Sequence, residues 1–159
     1  GLARDDADAL RRVDQALASG RALEQFARMV TALGGPADFV ERPGFYLPGA
    51  PVQQVIAAPR AGFVVGMATR DIGLLIVELG GGRRQASDTI DPRVGFTQFA
   101  QLGQQVQAGE PLAVVHAADT ASAEHAQQVL QTLIQIGDAP MALAPVLVQR
   151  VVASATVSS

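Results

Sequence analysis

Three glycines run directly into two arginines at Gly80-Gly81-Gly82-Arg83-Arg84, and Ser87, Asp88, Thr89 and Asp91 follow within a few residues. Consecutive glycines allow positive φ and bring backbone N–H groups close together, and forked guanidinium donors suit phosphate or carboxylate oxygens. Gly81, Gly82, Arg83 and Arg84 are therefore the candidate substrate-binding residues, in the form of an anion nest. The opposing reading is a structural or domain-closing turn. The helical pattern before the glycines ends there, so its dipole presents its negative end to the loop, and Arg83 or Arg84 is expected to pair with Asp88 or Asp91. The rest of the chain offers little chemistry. His116 and His125 have no further ligand at metal-binding spacing and are expected to be a satisfied strand-end residue and a solvated helix residue, so no metal site is expected. Asp88 and Asp91 are read as turn carboxylates that bond local backbone. No Gly-x-Ser-x-Gly nucleophile motif occurs, and no catalytic residue is assigned.

Composition narrows the choice further. All twelve basic residues are Arg and there is no Lys, which excludes a Walker loop, a Schiff-base enzyme and a lysine-carried biotin or lipoyl group. Cysteine is absent too, removing disulfides, thiolate metal sites and thiol nucleophiles. The net charge of −3 and the scattered arginines, paired only at Arg11-Arg12 and Arg83-Arg84, give no cationic face for nucleic acid. No apolar run approaches 18 residues and no signal peptide is visible, so neither a membrane partner nor export is expected and the cytoplasm is the default. With 48% hydrophobic and only 4% aromatic residues, the core should be aliphatic.

Helix periodicity opens the chain. Asp5 and Asp6 precede Leu10, Val13 and Leu17, predicting a helix over 6–18; Leu23, Phe26, Val30 and Leu33 predict a second, stopped by Gly34-Gly35-Pro36. Two short helices bury too little alone, so their apolar stripes rest either on something beyond these residues or on the later strands. Residues 36–51 carry Pro36, Pro43, Pro48 and Pro51 with Gly44 and Gly49, a density that forbids helix and favours an extended, semi-rigid interdomain linker. Its Phe39, Val40, Phe45, Tyr46 and Leu47 predict that it lies against a surface.

Short strands are predicted at Val52–Ala58 and Gly62–Met67, separated by a Pro59–Gly62 turn. A helix over 70–79 follows, with Thr69 as its cap and Gly80 as its left-handed stop; the rival reading is a buried strand over 74–79. Val94–Phe99 reads as a strand. Gly103 to Leu112 reads as a tight hairpin leading into a buried strand ending at His116. Asp119 or Thr120 caps a last helix, whose face of Ala123, Ala126, Val129, Leu130, Leu133 and Ile134 continues until Gly137 and Pro140. Pro145–Val152 reads as a final strand and 153–159 as a frayed tail.

The string Leu79-Gly80-Gly81-Gly82-Arg83-Arg84 with Ser87-Asp88-Thr89-Ile90-Asp91 and Val94-Gly95-Phe96 resembles the C-terminal domain of the pyrimidine nucleoside phosphorylase family. Gly1-Leu2-Ala3-Arg4-Asp5-Asp6, Phe26-Ala27-Arg28-Met29-Val30, Gly35 to Glu41 and Gly109 to Ala117 extend the likeness in order over nearly the whole chain. The resemblance implies an α+β fold: an α/β-hammerhead with a barrel-sandwich-like β body over 52–152, preceded by a helical pair, 1–35, that closes an upstream catalytic α/β domain. The linker is then 36–51 and the tail 153–159. It further implies a parent pentosyltransferase that cleaves thymidine with phosphate to thymine and 2-deoxyribose 1-phosphate in nucleoside salvage. That parent uses phosphate as co-substrate, needs no cofactor, and is a homodimer through regions absent here. The family's phosphate and base contacts lie upstream, so this portion is expected to be structural and catalytically silent, with the upstream catalytic domain as its partner. The Gly103–Leu112 turn is also similar to that of biotinyl and lipoyl domains, without their carrier lysine. The alternative is a free-standing barrel-sandwich binding or scaffold module.

Overall fold

A computed structural model describes residues 2–145. The chain divides into two compact units, the first running to Gly49 and the second beginning at Ala50.

In the first unit, α1 (Asp6–Ala18) and α2 (Arg21–Ala32) form where the periodicity placed them. Asp5 caps α1 by accepting from the Asp8 amide at 2.8 Å, satisfying one of the orphan N–H groups of a helix start. Gly34 and Gly35 close α2 in a Schellman motif: the Gly35 amide donates to Val30 and the Gly34 amide to Thr31. The segment expected to be extended contains a helical turn instead, α3 (Pro43–Tyr46). The prolines do not prevent it, because Pro43 sits in the first turn, where its missing N–H is not needed and its fixed φ suits a helix. Phe39 packs edge-on to Phe26 of α2 at 6.0 Å, and Tyr46 stacks beyond Phe39 and donates its hydroxyl to Asp38. Phe39 is thus held against α2 with Tyr46 beside it, while Phe45 is exposed.

The second unit contains two three-stranded antiparallel sheets: β1 (Val52–Ala57), β5 (Pro111–Ala117) and β3 (Gly95–Thr97) in one, and β4 (Gln105–Val106), β2 (Gly62–Met67) and β6 (Ile134–Gly137) in the other. Two helices, α4 (Thr69–Ile76) and α5 (Thr120–Leu133), pack with them, giving a mixed helix and sheet fold with no closed barrel among the described residues. β5 is central in its sheet, pairing Val55 with Val114 on one side and Phe96 with Val115 on the other, which explains its almost continuously apolar sequence. Ile56, Val64, Val106, Leu112, Val115 and Leu130 are fully buried, so the core is aliphatic.

Three expectations require correction here. The Gly103–Leu112 stretch is not a hairpin: β4 pairs with β2 and β5 with β1, so the turn at 107–110 carries the chain from one sheet to the other. Its backbone is clipped to the end of β1, with Ala58 donating to Glu110 and Gly109 donating to Ala58. The last helix does not continue through Ile134. Asp119 caps it as predicted, accepting from Ser122, but at Ile134 the backbone turns extended and β6 completes the second sheet against β2. An open strand edge outweighs one further helical turn, and the Ile134-Gln135-Ile136 alternation suits it. Thr69 does not cap α4 either: Ala68 occupies that position with no side-chain bond, while the Thr69 hydroxyl turns back toward the Met67 carbonyl. The predicted strand over 145–152 and the tail lie outside the described residues, apart from Pro145.

Candidate functional site

The Gly-Arg loop grows out of the end of α4. Past Ile76 the helix widens into a π turn over Val77–Gly81, and Gly80 leaves it at φ 98°, the left-handed stop read from the sequence. Gly81 and Gly82 are required by close approach. A Cβ on Gly81 would lie 2.7 Å from Ile76 Cγ2 and 3.2 Å from the Ile76 carbonyl, and one on Gly82 would lie 2.7 Å from Val77 Cγ2. The glycines thus let the chain double back over the last helical turn.

Two carboxylates then fix the loop. Asp88 accepts from the backbone N–H groups of Arg84 and Gln85, at 2.9 and 3.1 Å, and these bonds hold its carboxyl below the usual range. The Asp91 amide donates to the Gly80 carbonyl at 2.9 Å, closing residues 80–91 into a ring. Asp91 accepts from Nε and one terminal nitrogen of the Arg93 guanidinium, at 2.9 and 2.8 Å, together with the Arg93 amide, which lowers its pKa to about 2 and raises that of Arg93.

The expected pairing of Arg83 or Arg84 with Asp88 or Asp91 is therefore not what forms. Both arginines are exposed, and among the described residues neither closes an ion pair; what Asp88 binds is the main chain of Arg84. Arg93, two residues from Asp91, makes the pair because a short Asp-x-Arg turn lets the guanidinium fold back bidentately, whereas Arg83 and Arg84 leave the loop on its solvent side. The Asp-x-Arg spacing at residues 91–93 is the sequence signal of this pair.

Beside the loop is a groove of about 300 Å³, lined by Ile76, Pro92, Arg93, Val94, Gly95, Phe96, Thr97 and His116. His116 Nε2 lies 2.7 Å from Thr97 Oγ1, so this histidine is satisfied, as expected of a strand end. The 19-residue separation of the two hid the contact; only the β3–β5 register, Gly95 opposite His116 and Thr97 opposite Val114, places them diagonally on one face. His125 is exposed, yet it has a carboxylate neighbour, Glu78, at 3.7 Å. Among the described residues, no three His, Asp or Glu side chains converge as metal ligands, and no helix is long and apolar enough to cross a membrane. The arrangement presents two exposed guanidiniums on a braced loop.

A core of two small antiparallel sheets with helices on it, bearing a glycine-turned, acid-braced loop, is the setting in which comparison with known proteins becomes specific. Residues 63–137 match the model of the pyrimidine nucleoside phosphorylase C-terminal domain, a span from β2 through β6 that includes the whole loop. Over those residues the chain is similar to the C-terminal domain of the pyrimidine nucleoside phosphorylases. Among its relatives are thymidine phosphorylases: that of Mesorhizobium japonicum is 47% identical over 151 residues, 95% of this chain and 34% of the relative. The thymidine phosphorylases of Agrobacterium fabrum and Burkholderia cenocepacia are each 48% identical, over 86% and 95% of this chain and 31% and 34% of theirs. The chain thus spans about a third of the length of the curated relatives it matches.

Proposed function

We propose that this chain is the C-terminal, bracing portion of a thymidine phosphorylase, a pentosyltransferase that converts thymidine and phosphate to thymine and 2-deoxyribose 1-phosphate in nucleoside salvage. The observation that carries the reading is the run of 45–48% identity to thymidine phosphorylases along almost the whole chain, against about a third of each relative. The substrate-handling machinery then belongs to an upstream catalytic domain, and this portion is catalytically silent by itself. Two features of the structure support that division. Leu10, Val13 and Leu17 of α1 and Leu23, Phe26 and Met29 of α2 are exposed, as expected of helices 1–35 that close an α/β domain contributed by the upstream chain. The loop from Gly80 to Arg93 is held by hydrogen bonds within itself, a form suited to bordering a cleft and helping domains close, with Gly81 and Gly82 turning it over the helix end and Arg83 and Arg84 at its outer edge.

In this reading residues 36–51 connect the two parts, 52–152 form an α/β-hammerhead with a barrel-sandwich-like body, and 153–159 are a tail. The parent is a cytoplasmic homodimer through upstream regions and uses phosphate as co-substrate without a further cofactor. The test is direct. Purified 159-residue chain incubated with thymidine and phosphate is expected to release no thymine above a protein-free control. Joined to the upstream two-thirds of the Mesorhizobium relative, it is expected to support phosphorolysis. Thymine release by the chain alone, abolished by a substitution within it, overturns the silent assignment; a folded chimera without activity overturns the bracing role.

A further inference from the structure

The Arg11-Arg12 doublet lies on α1 beside a buried carboxylate. Asp8, one turn earlier on α1, is a buried carboxylate with only 2% of its surface exposed. A charge so far from water needs partners, and it has an excess of them. The Arg4 amide donates to it at 3.1 Å, Arg12 Nε at 3.0 Å and Arg11 through one terminal nitrogen, while the Arg4 guanidinium stands 3.8 Å away. One negative charge therefore anchors three positive ones.

Each anchored fork keeps free donors. Arg12 spends Nε on Asp8 and retains its terminal N–H groups, and Arg11 spends one terminal nitrogen and retains the others. Arg21, the first residue of α2, uses Nε on the Ser19 hydroxyl at 3.2 Å and likewise retains its terminal groups. Arg11, Arg12, Gln15, Ala16, Arg21 and Ala22 together line a cleft of about 640 Å³ between α1 and α2, and none of them is acidic. A positive cleft on a chain of net charge −3 attracts anions against the overall field. Guanidiniums held at their base have already lost part of the rotamer freedom that binding would otherwise remove.

We propose that the α1–α2 cleft binds a small phosphorylated molecule, its phosphate oxygens taken by Arg11, Arg12 and Arg21. Gln15 and the methyls of Ala16 and Ala22 complete the lining and offer a surface to whatever group the phosphate carries. This site is built from residues of the first unit alone and does not depend on the role assigned to the chain as a whole.

Inorganic pyrophosphate is the probe. It is titrated into the 159-residue chain at constant ionic strength while the arginine Nε–Hε signals are followed by NMR. Saturable shifts confined to Arg11, Arg12 and Arg21 are expected, and Arg21→Gln should weaken binding by about tenfold, as for loss of one charge-assisted hydrogen bond. Arg21 lies outside the Asp8 cluster, so the helices should survive the change, which circular dichroism checks. Should Arg21→Gln lose helix, Arg21→Lys takes its place, with weaker binding expected from loss of the fork. Shifts spread over all the arginines without saturation, unchanged affinity in the folded variant, or tighter binding of a hexaglutamate peptide than of pyrophosphate each overturn the proposal.

Discussion

Asp91 is the residue on which the order of the Gly-Arg loop turns, because it ties the loop twice: through its amide to Gly80 and through its carboxylate to Arg93. Its pKa is depressed to about 2 by the Arg93 side chain and amide, so the ionised form is preferred in the folded loop. The sign follows from linkage: the stabilisation is present above the ordinary carboxylate pKa, near 3.9, and is lost as pH falls through about 2. An NMR titration of the Asp91 carboxyl carbon should therefore show a midpoint near 2, with the Arg93 Nε–H signal broadening over the same range. A midpoint near 3.9 would remove the ion pair from the account. In the same experiment Asp91→Asn should speed amide exchange across residues 82–93 at neutral pH. Arg84→Ala should leave it unchanged, since only the main chain of Arg84 is held.

At the scale of the element, α4 and the π turn that ends it hold two glycines with opposite demands. Gly73 lies within the helix and a Cβ there meets nothing within 4 Å, so Gly73→Ala should stabilise by about 0.5–1 kcal/mol through reduced backbone freedom in the unfolded chain. Gly81→Ala places a methyl 2.7 Å from Ile76 Cγ2 and should cost about 1–3 kcal/mol, as overpacking does. Urea midpoints of the two variants should move in opposite directions. If both move the same way, the doubled-back path of residues 80–82 over the helix end is wrong.

Across the whole molecule, the division at Gly49/Ala50 predicts that the second unit holds its fold by itself. Deleting residues 1–49 should leave a cooperative thermal transition, because the fully buried side chains Ile56, Val64, Val106, Leu112, Val115 and Leu130 all come from residues beyond 50. Leu130→Ala in the shortened protein should then cost about 2–5 kcal/mol by opening a cavity in that core. A shortened chain without a cooperative transition would show that the core is not self-sufficient.

Local physics is what the sequence expressed well. Helices α1, α2 and α5 were legible from apolar period and caps, β1 and β2 from β-branched runs between turn residues, and the stop at Gly80 from the single residue type that accepts φ 98° without strain. The ordered glycine, arginine and aspartate strings carried the family resemblance. What lay beyond reach depends on which strand meets which. The turn at 107–110 has the same local conformation whether its arms pair with each other or with separate sheets, and β1 and β2 alone give no sign that they belong to different ones. Residues 134–137 leave helix for strand only because β2 presents an open edge to them. The same holds for the candidate site: Arg93 prevails over Arg83 and Arg84 for Asp91, and Thr97 meets His116, through the path of the loop and the β3–β5 register. Sequence neighbours determine backbone preference, but partners far apart in the chain are chosen by the packing that covers the core, and only the tertiary structure records that choice.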